Sequence, residues 1–403
     1  MRRIVIGIGI GIALLLVAVS LWFVGGGGGP RVMMPTPRIY EQPDQELFED
    51  LPPSLQKTEV ELMYVTDRAP EKDENDNLRY GFGRSGSLAF GTVTVALGGP
   101  TITWEDLLEA SRTGRRLNPL HLSLESVVEI ARASPDPLPF WKEAGQIVYE
   151  PTAQARRRED VKEFRRALAR RLALTPRKEV FVYVHGFNNT FEDAVFAMSE
   201  FWHFLGREGV PIVYTWPAGY PGVFGYTYDR ESREFTVFHL KRMLLAMSGF
   251  PEVERIHLIA HSRGTDVTLA ALRELTIWAW ASGLDPEVQL KLHNLVLAAP
   301  DMDVQVFEQR MLAEHIAFSA HRVTIYASPN DKAIGYAERF FVGPRGRMGT
   351  VGLDKITAVD KAVMEKSGAN LAIILYDRLS SPDLDESVTA TTATARGQAR
   401  TWS

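Results

Sequence analysis

A serine separates an apolar run from a helix-like stretch in IHLIAHSRGTDVTLAAL, residues 256–272. Ala260 lies two residues before Ser262, and Gly264 lies two residues after it. A sharp strand-to-helix turn lifts a serine hydroxyl above a sheet edge and requires small residues at these two positions. The pattern therefore predicts that Ser262 is a nucleophile, and that helix N-terminal amides such as that of Arg263 stabilise an oxyanion.

A second oxyanion donor is predicted after an earlier strand, in EVFVYVHGFNNT, residues 179–190. Glycine at position 186 allows the backbone to approach a substrate closely, and the amide of Phe187 is the candidate donor. His185 ends the same strand. It either supports its own loop by hydrogen bonding or substitutes as the base for Ser262.

Five apolar runs that alternate with helical patterns between residues 179 and 327 predict a parallel sheet covered by helices on both faces. Two further strands are predicted at 58–70 and 87–97, with a long polar loop over 71–84 between them. Residues 98–150 contain short apolar pieces, such as 104–110 and 124–133, which we interpret as helices of an insert or lid.

Several stretches resemble the α/β-hydrolase superfamily, and within it a bacterial family of esterase- and lipase-like proteins catalogued as a domain of unknown function. They are VFVYVHGFNN, YTWPA, IHLIAHSRG, LVLAAPDMD and RVTIYASPNDKA. The resemblance runs from about residue 33 to about residue 340. It implies an α/β-hydrolase domain, placed at 58–378, and a triad in the chain order serine, acid, histidine. Ser262 corresponds to the nucleophile and Asp331 to the acid, and Asp301 and Asp303 remain alternative acids.

The sequence departs from this pattern in its base. Nine histidines are present, and none of them follows Asp331. A serine hydroxyl is a poor nucleophile until a base takes its proton. The Ser-, Thr- and Ala-rich stretch at 379–403 is predicted to be a disordered tail, and a truncated or frame-shifted gene end would account for the missing histidine.

The N-terminal segment predicts membrane attachment. Residues 4–24 contain no charged side chain and follow Arg2 and Arg3. About 20 apolar residues span a bilayer as a helix, and the positive-inside rule retains the arginines in the cytoplasm. We expect a transmembrane signal anchor over 1–24, a flexible tether over 25–57, and a hydrolase domain on the periplasmic side of the inner membrane.

Composition excludes other chemistries. The chain has no cysteine and a net charge of −5 spread along its length, so neither thiolate chemistry nor a nucleic-acid partner is indicated. No metal-ligand spacing and no phosphate-binding loop occur, and no cofactor is expected. The leading prediction is a membrane-anchored serine hydrolase acting on small-molecule or lipid esters, impaired by its missing histidine. The alternative is a catalytically inactive binding or envelope-interaction module of the same fold.

Overall fold

The computed structural model describes most of the chain from residue 31 onward. The described residues are 31–37, 40, 48–49, 51–112, 116, 118–221, 224–328, 346–350, 370–375, 390–394 and 400–402. The predicted membrane anchor at 1–24 and the predicted acid Asp331 lie outside them. Within these ranges, no helix has both the length and the apolar character needed to cross a membrane.

One large sheet of eleven strands organises the described chain, in the order β13-β12-β11-β10-β9-β8-β6-β7-β1-β2-β3. Its strands are β1 (Glu59–Lys72), β2 (Leu78–Leu97), β3 (Leu122–Arg132), β6 (Glu179–Val184), β7 (Val210–Thr215), β8 (Arg255–His261), β9 (Leu292–Ala298), β10 (Arg322–Ala327), β11 (Leu371–Leu375), β12 (Ala390–Thr394) and β13 (Arg400–Trp402). A separate hairpin pairs β4 (Phe140–Glu143) with β5 (Gln146–Tyr149). The seven central strands, from β11 to β1, are parallel, and the remaining four strands are antiparallel.

Helices cover both faces of this sheet, as predicted. They are α1 (Trp104–Arg112), α2 (Pro151–Leu172), α3 (Phe191–Phe204), α4 (Gly225–Ser248), α5 (Gly264–Ala281), α6 (Pro286–Leu290) and α7 (Val304–Phe307). Short 3-10 turns occupy Pro53–Leu55, Ile316–Ser319 and Met348–Thr350, and a π-helical stretch occupies Glu308–Ala313. The α/β architecture predicted from the alternating strands and helices is confirmed.

Strand β6 shows why the central strands read as continuous apolar runs. Val180, Val182 and Val184 point into one core together with α2, α4 and α5. Phe181 and Tyr183 point into a second core together with α3. Successive side chains of a strand face opposite sides, so a strand that is covered on both faces must be apolar at every position.

Parallel strands place their ends at common edges of the sheet. We call the edge formed by the C-terminal ends of the parallel strands the carboxyl edge, and the opposite one the amino edge. Ser262 follows β8 at the carboxyl edge. Active groups of open α/β sheets gather there.

Two predictions for the N-terminal half are wrong. The long loop predicted over 71–84 is a hairpin, because β1 and β2 pair as far as Lys72 and Leu78. The Asp73 carboxylate tightens its turn by accepting the amide protons of Asn75 and Asn77 at 2.9 Å. Residues 124–133, predicted as a helix of an insert or lid, lie almost entirely in strand β3 of the main sheet. Their β-branched side chains suit that pleated edge.

The predicted tether and tail also differ from the structure. Met33 and Met34 are buried, and Val32 bridges to His121, so residues 31–37 of the tether predicted over 25–57 pack against the domain. In the predicted disordered tail, β12 and β13 extend the sheet beyond β11. The three threonines of 390–394 are compatible with pairing as a strand.

Candidate active site

The turn at Ser262 has the geometry of a nucleophile elbow. Strand β8 ends at His261, Ser262 adopts a φ of 50°, and α5 begins at Gly264. The Ser262 amide donates to the Ala298 carbonyl at 2.9 Å, and the Thr265 hydroxyl donates to the Ser262 carbonyl at 2.6 Å. A left-handed conformation costs a non-glycine residue about 1–2 kcal/mol, and strain of this kind gathers at functional sites.

Close backbone approaches explain the small residues around Ser262. A Cβ added at Gly264 would lie 2.3 Å from the His185 carbonyl oxygen and 2.6 Å from that of Val184. Ala260 is fully buried in β8, between Val184 of β6 and Leu297 of β9, so this site accommodates a methyl group. Gly264 therefore cannot carry a side chain without displacing backbone.

The loop after β6 packs directly against the elbow. A Cβ added at Gly186 would lie 2.9 Å from the Ser262 Cβ, which places Phe187 next to the nucleophile candidate. Asn188 has a φ of 56°. Its amide donates to the Asp229 carboxylate at 3.0 Å, and this hydrogen bond holds the loop in place. The sequence indicated a role for Gly186 in the turn but not its contact with Ser262.

Two backbone amides are available as oxyanion donors at this edge. Those of Phe187 and Arg263 donate to no other group within the described part of the chain. One lies in the loop that packs against Ser262, and the other begins the turn into α5. Unpaired amides beside a reacting carbonyl can stabilise the charge that develops on its oxygen.

His185 supports its own loop through both ring nitrogens. Its Nδ1–H donates to the Gly186 carbonyl at 2.9 Å, and its Nε2 accepts from the Trp216 amide at 3.0 Å. The ring also stacks on the Trp216 indole at a centroid distance of 5.1 Å. Burial and the nearby Arg68 cation hold the His185 pKa well below its usual range. Both ring nitrogens are thus engaged within the loop, which favours the loop-supporting role of His185 over the role of substitute base.

The other histidines do not supply the base either. All nine histidines are described, and none of them hydrogen-bonds to the Ser262 hydroxyl. His261 precedes Ser262, but it is buried, and burial lowers its pKa to about 4. His239 pairs with Asp67 instead, at 2.9 Å between Nδ1 and Oδ2. The described site therefore contains a nucleophile candidate without an imidazole partner.

Both alternative acids, Asp301 and Asp303, have structural partners. The Asp301 amide donates to the Ser262 carbonyl at 3.3 Å, so this residue borders the elbow. Its carboxylate is buried and pairs with Arg263 at 3.0 Å and with Arg347 at 3.2 Å. Asp303 instead caps α7 by accepting from the amides of Gln305 and Val306.

The side chain of Arg263 is a feature that sequence reasoning missed. Its guanidinium donates to the Tyr226 hydroxyl at 2.6 Å and lies 4.6 Å above the Tyr226 ring. The ion pair with Asp301 completes this contact set. The only signal in the sequence for these contacts was the presence of an arginine immediately after Ser262. The rim of the elbow thus has a buried ion pair next to an aromatic ring.

Comparison with known proteins supports the same fold. A family model described as an alpha/beta hydrolase of unknown function, DUF900, matches residues 160–388, which is more than half of the 403 residues. The matched region contains β6 to β11, the loop at Phe187 and the elbow at Ser262. No curated protein matches the chain.

Proposed function

The chain belongs to the DUF900 family of α/β hydrolases of unknown function, and from this premise we propose that it is a membrane-anchored serine hydrolase acting on ester bonds. The observation that carries the proposal is the φ of 50° at Ser262, between β8 and α5. A β-carbon-bearing residue keeps this conformation only where its surroundings impose it. Gly186 and Gly264 allow the neighbouring backbone to approach this turn closely.

In the proposed reaction, the Ser262 oxygen attacks an acyl carbonyl and forms a tetrahedral intermediate. The amides of Phe187 and Arg263 stabilise the oxyanion of that intermediate. The leaving alkoxide takes a proton from solvent and departs as the alcohol, and water then releases the acid from the acyl-enzyme. We assign Asp331 as the acid because it comes four residues after β10 in the sequence, and β10 is two strands from β8 in the sheet.

The rate of this reaction is expected to be low. No histidine hydrogen-bonds to the Ser262 hydroxyl, so we expect its proton to pass to solvent rather than to a positioned imidazole. A triad enzyme that lacks one member retains roughly 10³–10⁴-fold acceleration over water. We therefore expect covalent labelling to report the nucleophile better than turnover does.

A fluorophosphonate probe tests the nucleophile on the full chain. We expect stoichiometric labelling that is abolished in Ser262→Ala and retained in Ser282→Ala, which alters an exposed serine at the end of α5. Without an imidazole base, the labelling rate should rise about tenfold per pH unit from pH 6 to 9. A plateau near pH 7 would instead reveal an imidazole base.

The alternative function is a catalytically inactive binding module, and the absent base is the observation that favours it. This module would retain the fold and the elbow but leave Ser262 unreactive. The absence of labelling at every pH, in a chain that remains folded, would support the binding module over the enzyme.

Membrane anchoring through residues 4–24 belongs to the same proposal, with the hydrolase domain on the periplasmic side. It rests on the 21-residue uncharged run and the two arginines before it. We expect the full chain to resist alkaline carbonate extraction from membranes. We also expect a protease added to the periplasmic side to digest the domain.

A further inference from the structure

An exposed apolar surface occupies the C-terminal end of α5 and the following helix α6. We call it the tryptophan surface, and it consists of Ile277, Trp278, Trp280, Leu284 and Val288. Trp280 is 51% exposed, and Val288 is 74% exposed. Ile277 and Trp280 lie three residues apart on one face of α5, and exposed apolar groups that lie together on a protein surface indicate a binding partner.

The tryptophan surface lies at the amino edge. Helix α5 starts beside Ser262 at the carboxyl edge and extends for 18 residues, or about 27 Å at 1.5 Å per residue. The turn after it leads into α6, and Lys291 then connects α6 to the start of β9. The Lys291 carbonyl accepts from the Ile256 amide near the start of β8, which fixes this end of the helix pair to the amino edge.

The chain that enters from the proposed membrane anchor reaches the domain at the same edge. The Arg31 carbonyl accepts from the Leu122 amide at 2.7 Å, at the start of β3. Leu122 pairs with Leu97, and the Leu97 amide donates to the Thr58 carbonyl immediately before β1 begins.

Glu200 holds the chain in place where it joins the domain. Its carboxylate accepts from the Met34 amide at 2.5 Å and lies 3.4 Å from an Arg31 nitrogen. The position at which the chain joins the domain is therefore fixed by buried contacts.

The connecting segment is short. Six residues, 25–30, separate the uncharged run from Arg31, and six extended residues span about 20 Å. Strands β3 and β9 are six positions apart in the sheet, or roughly 29 Å at about 4.8 Å per strand. A bilayer that held residues 4–24 would therefore lie within about 20 Å of Arg31, on the same side of the sheet as the tryptophan surface.

We propose that the tryptophan surface contacts the bilayer and sets the orientation of the domain on the membrane. This inference rests on the proposed anchor. Tryptophan concentrates at membrane interfaces because its ring is apolar and its N–H is polar. The exposed carboxylates of Asp285 and Glu287 adjoin the surface, which favours a neutral lipid surface over an anionic one.

A second apolar group provides the matched control. Hairpin β4–β5 exposes Phe140, Trp141, Ile147 and Tyr149. It follows β3, whose end at Arg132 pairs with Ala89 beside the carboxyl edge. The hairpin and the tryptophan surface are therefore similar in composition but lie at opposite edges, so only the tryptophan surface should meet lipid.

Single-cysteine labelling of the full chain in phosphatidylcholine vesicles tests the inference. The natural chain has no cysteine, so Val288→Cys and Ile147→Cys each carry one fluorescent label. We expect nitroxide-bearing lipid to quench the label at position 288 at least threefold more than the label at position 147. Aqueous iodide should show the opposite preference.

Several outcomes would overturn the proposal. Equal access of iodide to both labels, in chains that resist carbonate extraction, would show that the anchor holds but the surface stays in water. A label at position 288 that neither quencher reaches would indicate a protein partner, such as a second copy of the chain. Chains that carbonate extracts from the vesicles would refute the anchor, and the bilayer contact with it.

A second reporter separates orientation from folding. With the label at Leu284→Cys, the additional changes Trp278→Gln and Trp280→Gln should reduce lipid quenching about threefold. Carbonate resistance and fluorophosphonate labelling of Ser262 should remain unchanged. Unaltered lipid quenching in this variant would contradict a role for the two tryptophans.

Discussion

The two edges of the sheet separate the parts that a serine hydrolase combines. The carboxyl edge holds the strained Ser262 and its candidate oxyanion amides. The amino edge holds two histidine–carboxylate pairs, His257 with Glu179 at 3.1 Å and His321 with Glu287 at 3.0 Å. His257 and Ser262 lie five residues apart along β8, or about 16 Å at 3.3 Å per residue. A suitable pair of groups at the wrong end of a strand therefore cannot complete the site.

The same separation applies along the carboxyl edge. His239 pairs with Asp67, which follows the parallel part of β1. Strand β1 is three positions from β8, or about 14 Å. This pair stabilises the packing of α4 on β1 and lies too far away to take a proton from Ser262. The presence of a histidine and an aspartate in the sequence therefore does not show that they can act on Ser262.

The largest expected effect comes from filling the backbone contact at the elbow. In Gly264→Ala, the new methyl group would meet the His185 carbonyl at 2.3 Å. Overpacking against backbone should reduce the free energy of unfolding by about 3 kcal/mol or more and abolish labelling of Ser262. Urea unfolding measures the stability, and Gly99→Ala, which meets no atom within 4 Å, is the matched control. Equal stability of the two variants would contradict the elbow geometry.

The amino edge should respond to pH through Glu200. Burial raises its pKa from 4.5 to about 7, although Arg31 and the Met34 amide oppose the shift. The folded state then binds a proton that the unfolded state has released, so stability should fall as the pH rises from about 4.5 to 7. The loss should total about 3 kcal/mol.

Glu200→Gln tests this pH dependence. Its unfolding free energy should lack that decline, and Glu105→Gln, which changes an exposed residue of α1, should retain it. Parallel profiles for Glu200→Gln and the natural chain would show that the buried carboxyl does not titrate in this range. This result would mean that the amino edge does not make stability depend on pH through Glu200.

A smaller effect should arise from relieving the strain at Ser262. Ser262→Gly and Ser262→Ala both remove the nucleophile, but only glycine adopts a φ of 50° without strain. The free energy of unfolding of the glycine variant should be about 1 kcal/mol higher than that of the alanine variant. A lower stability of the glycine variant would mean that the left-handed turn is not maintained in solution.

The smallest effect is expected at the tryptophan surface. Trp280→Gln should change the unfolding free energy by less than about 0.5 kcal/mol, since the ring is half exposed. Trp216→Phe is the contrasting variant at the carboxyl edge. It removes the indole N–H that donates to the His185 carbonyl at 2.8 Å, and should cost about 1–2 kcal/mol. Similar losses for both would show that Trp280 packs against the domain.

Much of the fold followed from local patterns in the sequence. The central strands β6 to β10 were predicted because continuous apolar runs alternate with helical spacing. The hairpin over 71–84 and strand β3 were missed. A polar, glycine-containing stretch is compatible with a loop as well as with a strand, and 124–133 contains apolar residues at a spacing that suits a short helix. Pairing with β2 decided both cases.

The candidate site was predicted only in part. Ser262, Ala260 and Gly264 form a contiguous motif, and Phe187 follows from the strand before it. The engagement of His185 by Trp216 could not be predicted, because these residues are 31 positions apart and meet only through the order of strands. The ion pair between Arg263 and Asp301 spans 38 positions for the same reason.

By itself, the sequence determined where the chain alternates between strand and helix and where it bends around Ser262. These features depend on residues that lie close to each other in the sequence. The tertiary structure decided which partner each histidine has and at which edge each group lies. His239 and Asp67, for example, are 172 residues apart in the chain, and only the packing of the sheet brings them together.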